Sequence, residues 1–115
     1  YADVDGVMSR YATYRFARRD RNWVPGKGVA VVDVEKLRPE DFDGMDAIIC
    51  MDVFEHMQEP LGMIQTIAER TPYIFCNPDD VHYTWVYPQH ISRFDLKPYF
   101  DHIERYLWKS KLCRL

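Results

Sequence analysis

Residues 46–57, DAIICMDVFEHM, set the tightest limits on what this chain can fold into. Ala47-Ile48-Ile49-Cys50-Met51 is a continuous apolar run with β-branched residues near its centre, too short for a typical helix and the right length for a strand. Apolarity without alternation asks for cover on both faces, as in a parallel sheet flanked by helices. The polarity then changes abruptly: Asp52, Glu55 and His56 follow, and Pro60 suits the first position of a helix. Ligands of open α/β sheets bind at the carboxyl ends of the strands. Three ionisable side chains just past such an end therefore make a candidate site.

The remaining elements fit around this strand. Tyr1–Gly6 reads as the tail of a strand running into a turn. From about Gly6 to Arg21, Val7, Met8, Tyr11, Ala12, Tyr14 and Phe16 recur at roughly helical spacing, with Arg10, Arg15, Arg18, Arg19 and Arg21 on the remaining surface. The arginines read as a solvated face more than as a nucleic-acid patch, and the spacing of Tyr11, Tyr14 and Phe16 suits the buried side of the helix better than stacking on bases, so nucleic acid is not an expected partner. Pro25-Gly26-Lys27-Gly28 is a turn, and residues 29–34 (VAVVDV) form a second buried strand ending near an acid. Residues 37–44 are loop-like, with Pro39 able to start one helical turn.

Beyond Pro60, the residues Leu61, Ile64, Ile67 and Ala68 give a helix one apolar face as far as Arg70. Tyr73-Ile74-Phe75-Cys76 is the next strand. Residues 81–94 are aromatic and polar without periodicity, a long loop over the carboxyl edge of the sheet. A short helix is expected from Asp95 or Leu96 to about His102, then a last, more exposed strand over 103–112. Strands alternating with helices make parallel βαβ units the economical arrangement. The expected class is α/β, a Rossmann-like, mostly parallel sheet with flanking helices, in one domain over residues 1–115.

Composition narrows the alternatives. An apolar content of 47% suits a globular chain, and a net charge of −3 gives no general attraction to nucleic acid or acidic membranes. No signal-peptide pattern and no apolar run of about 18 residues is present, so no membrane partner is expected and a cytoplasmic location is. Cys50, Cys76 and Cys113 are odd in number and lack C-x-x-C spacing, which fits free thiols in a reducing compartment.

A strand of the type D-x-I-x-x-x-D-V-x-E-H, followed by a proline-initiated helix, resembles the fourth-strand region of class I S-adenosylmethionine-dependent methyltransferases. The order of the elements is similar to that core from its second strand onward, over most of the chain. The resemblance implies methyl transfer from S-adenosylmethionine, with an oxygen of a small molecule as acceptor. It also implies that Asp3 at the end of the first strand holds the ribose hydroxyls beside Val4, with Asp5 the competing choice. Asp33 and Val34 would line the adenine pocket, and Met51 and Asp52 the methionine end. A carboxylate accepting from two vicinal hydroxyls makes charge-assisted hydrogen bonds, the stronger kind.

The family's first strand and its Gly-x-Gly turn have no counterpart here: Gly26-Lys27-Gly28 precedes a strand instead of following one. The resemblance thus implies a part of the domain, cut upstream of Tyr1 and just after Leu115, that binds cofactor weakly as it stands.

Asp52-x-x-Glu55-His56 carries two readings. In one, Glu55 and His56 orient the loop into the next helix. In the other, Asp52, Glu55, His56 and a distal His90 hold a divalent cation (Mg²⁺, Mn²⁺ or Zn²⁺), resembling the metal-dependent O-methyltransferases, and the cation lowers the pKa of an acceptor hydroxyl. His82 competes with His90, and His102 reads as an exposed helix-end residue. Without a metal, His56 or His90 is the candidate general base. Tyr83, Trp85, Val86 and Tyr87 read equally as a lid or as surface aromatics. Two further readings stay open, a non-catalytic or partner-completed α/β nucleotide-binding module and part of a nicotinamide-dependent dehydrogenase. Oligomeric state is not legible in the sequence.

Overall fold

The computed structural model describes residues 2–3, 7–19, 32–33, 36–51, 53–77 and 91–114. They fall into two compact units, Tyr1–Arg38 and Pro39–Leu115, each taken by itself.

In the first unit, strand β1 (Ala2–Asp3) pairs in parallel with strand β2 (Val32–Asp33), and helix α1 (Val7–Arg19) lies between them in sequence. Parallel neighbours need a crossover connection, which the chain between them provides. The register is Ala2↔Val32 and Asp3↔Asp33. Both strands and the helix fall where the hydrophobic pattern places them; residues 29–31 and 34 of the expected second strand lie outside the described residues. One expectation is overturned. Tyr11 and Tyr14 are not on a buried side: they are 53% and 52% exposed. Among the described side chains of α1, Ala12 and Thr13 are half-buried, on the opposite flank.

The second unit opens with a 3-10 turn at Pro39–Phe42, which buries Phe42. Strand β3 (Ala47–Cys50), helix α2 (Pro60–Arg70) and strand β4 (Tyr73–Cys76) follow, then a hairpin of β5 (Phe100–Glu104) and β6 (Leu107–Ser110). The strand order is β3-β4-β6-β5. β3 and β4 run parallel through the α2 crossover, whereas β6 is antiparallel to both β4 and β5. The sheet is therefore mixed, which corrects the expectation of a mostly parallel one. An antiparallel edge on a parallel pair is common in α/β sheets.

Register explains the core. Ile48, Cys50, Ile74, Cys76, Trp108 and Phe100 share one face of the sheet, and all but the half-buried Ile48 are buried. Ile64, Ile67 and Ala68 of α2 complete this core, with Phe54, Phe94 and Leu96. The Ser110 hydroxyl donates to the Ala68 carbonyl and fastens the helix to β6. Pro60 stands at the first turn, where its missing N–H costs nothing, and is buried. Leu61, read as part of the apolar face, is exposed instead.

Three further expectations are corrected here. β3 is not covered on both faces: Ile49 is 78% exposed, and Tyr73 and Phe75 beside it on β4 are also open to solvent. The buried set lies on the face that α2 covers, and Ile49, Tyr73 and Phe75 stand on the other. The helix expected over 95–102 is a single turn at Lys97–Tyr99 that gives way to β5. Phe100 N–H still donates to the Leu96 carbonyl, but Phe100–Glu104 pairs with β6, and non-local pairing prevails over local propensity. The expected final strand over 103–112 is a hairpin bend at Arg105 (φ 45°) followed by β6, which is an interior strand with Trp108 buried. No glycine or asparagine marks that bend, so the turn left no sequence signal.

Candidate functional site

The segment after β3 is built as a sewn loop. Cys50 ends the strand buried, Met51 and Val53 are half-buried, and residues 54–56 make a 3-10 turn. Phe54 is completely buried and meets Phe94 edge-on, with ring centroids 5.4 Å apart. The Glu55 carbonyl accepts from the backbone N–H groups of both Ile91 (2.8 Å) and Ser92 (3.1 Å). The Ser92 hydroxyl lies against the Met57 carbonyl and 3.2 Å from that of Gln58. Residues 91–94 are thus pinned across the turn that leads into α2.

Within this turn the two expected ligands part company. The Glu55 side chain is 2% exposed, whereas His56 beside it is on the surface. Burial pushes the Cys50 thiol up to about 12, and the Glu55 charge nearby pushes in the same direction. Cys50 is also the register partner of Cys76 on β4, and both are buried free thiols, as their apolar surroundings in the sequence suggest.

Between this loop and the first turn of α2 lies an open groove of about 450 Å³, lined by Gln58, Glu59, Pro60, Leu61, Gly62, Ser92 and Arg93. It stands past the carboxyl end of β3, where an α/β sheet places ligands. Ser92 and Arg93, which line it, were not singled out in the sequence: they sit in an aperiodic stretch, and it is the bonds of Ser92 to Glu55, Met57 and Gln58 that place them there.

In the other unit, Asp3 and Asp33 occupy paired positions at the carboxyl ends of two parallel strands. Val4, Asp5, Val34, Asp52, His82 and His90 lie outside the described residues, as do Tyr83, Trp85, Val86 and Tyr87. Among the described residues no group of three or more His, Cys, Asp or Glu side chains is arranged to hold a metal ion. His102 is exposed as expected, but on β5 instead of a helix end, and its ring packs on Trp108 at 4.6 Å.

No protein-family model, curated protein or solved structure matches the chain. No helix among the described residues is long and apolar enough to cross a membrane.

Proposed function

We propose that this chain serves S-adenosylmethionine-dependent methyl transfer to an oxygen of a small molecule, on a Rossmann-like core. The observation that carries the reading is the register of Asp3 with Asp33. Two acids to which the resemblance gives ribose- and adenine-side roles stand next to each other at the carboxyl ends of adjacent parallel strands. That is where an open α/β sheet receives a nucleotide. A βαβ unit, β3–α2–β4, whose first strand runs into the Met51–His56 segment, supports the same reading.

S-adenosylmethionine supplies an activated methyl sulfonium when bound. Asp3 would hold its ribose hydroxyls and Asp33 its adenine side. The bound donor would supply its methyl to an acceptor oxygen whose proton an imidazole of this chain would take. His56, exposed on its turn, is the described candidate for that base. Positioning and exclusion of water contribute much of the acceleration in such a displacement. Of the four residues expected to bind a cation, Glu55 is buried near Cys50 while His56 faces solvent, and Asp52 and His90 lie outside the described residues.

Equilibrium dialysis with S-adenosylhomocysteine at up to millimolar concentration tests this. Asp3→Asn and Asp33→Asn are each expected to weaken binding by about tenfold or more, the worth of a charge-assisted hydrogen bond. Equal binding by both variants and the parent chain would remove the nucleotide reading.

A further inference from the structure

Helix α1 carries Arg10, Tyr11, Tyr14, Arg15, Ala17 and Arg18 exposed, and at 3.6 residues per turn these six positions form one continuous arc. The two tyrosine rings lie near each other, centroids 6.4 Å apart and planes inclined by 30°. The Arg18 guanidinium donates to the Tyr14 hydroxyl (2.9 Å) and lies 5.6 Å from that ring's centroid, which holds ring and cation together.

A merely solvated helix face mixes the two signs of charge and pairs them three or four residues apart. This one does not. The sequence of α1, VMSRYATYRFARR, contains four arginines and no acid. Arg15 stands three and four positions from Arg18 and Arg19, which are like-charge spacings. Among the described residues no carboxylate pairs with Arg10, Arg15 or Arg18. The face therefore combines an unneutralised cationic stripe with two exposed aromatic planes. Its complement is a polyanion that also offers flat rings for stacking.

We propose that α1 is a binding surface for single-stranded nucleic acid, with Tyr11 and Tyr14 as stacking platforms and Arg10, Arg15 and Arg18 on the phosphates. Single strands fit better than duplexes, because paired bases do not present their faces to a protein side chain. An anionic membrane fits less well, since a helix lying in a lipid interface needs a broad apolar face to bury, and the exposed arc here interleaves three arginines with its two tyrosines. The inference does not depend on methyl transfer. With a net charge of −3 on the whole chain, the attraction is local to this helix and sensitive to salt.

The test is fluorescence polarisation of the full chain with a labelled, short, mixed-sequence single-stranded RNA. The matching duplex, heparin and phosphatidylserine vesicles serve as competitors. The single strand is expected to bind more tightly than the duplex. The Tyr11→Ala/Tyr14→Ala double variant should lose about tenfold or more, while Tyr11→Phe/Tyr14→Phe retains the affinity. Arg15→Gln should reduce the slope of log K against log salt by about 0.7. Circular dichroism establishes that each variant keeps its helix content. Absence of binding would overturn the proposal. So would equal affinity for the duplex, an alanine variant that binds like the parent, or displacement by vesicles alone.

Discussion

Burial pushes the Cys50 thiol up to about 12, and the Glu55 charge adds to it. In the unfolded chain the same thiol ionises near 9.0. Above that value the unfolded state gives up a proton that the native state keeps, so ionisation favours unfolding. The stability associated with this group is complete below pH 9.0 and is lost as pH rises toward about 12. Urea unfolding followed from pH 8 upward should therefore show a shallower decline for Cys50→Ala than for the parent chain; identical slopes would contradict the coupling. The buried state of Cys50 was legible, because a cysteine in an unbroken apolar run has few other places to be. The burial of Glu55 was not. Its neighbours in sequence, Asp52 and His56, suggest a polar cluster, and only packing of the 3-10 turn under residues 91–92 puts its carboxyl inside.

At the level of elements, local signals and long-range pairing divide the outcome. Helix α2 was legible because proline at its first turn and apolar residues at Ile64, Ile67 and Ala68 agree with each other. The β5–β6 hairpin was not, since Asp95–His102 carries no strong strand pattern and takes its form from β6. Ser110 is the joint of this arrangement. Its hydroxyl donates to the Ala68 carbonyl and accepts from the N–H groups of Leu112 (3.0 Å) and Cys113 (2.9 Å). Ser110→Ala is expected to cost about 1–3 kcal/mol, the penalty for leaving such groups unsatisfied, read as a lower denaturant midpoint. Gly44 turns the chain between the 3-10 turn and β3 with φ 78°. Open space surrounds the position of an added Cβ, so Gly44→Ala tests the backbone alone. A cost of about 1–2 kcal/mol is expected from the left-handed conformation, and an unchanged midpoint would show that the turn relaxes.

At the scale of the whole molecule, the sequence conveyed the order of elements and the α/β class better than the sheet. Alternating strand and helix patterns place β1, α1, β2, β3, α2 and β4, because each pattern is local. The open face of β3 and the interior position of β6 depend on what packs where, and no periodicity encodes that. The candidate site divides along the same line. The strand-end acids Asp3 and Asp33 were legible as single residues, and their register beside each other is what pairing adds. The groove residues Ser92 and Arg93 became visible only through the bonds that Ser92 makes far along the chain. The central claim, a nucleoside methyl donor at the strand-end acids, is tested most directly by amide chemical-shift mapping with S-adenosylhomocysteine, which detects weak binding residue by residue. The expected result is saturable shifts around Asp3 and Asp33, abolished by the Asp3→Asn/Asp33→Asn double variant. Shifts confined to other residues, or none at millimolar ligand, would contradict it.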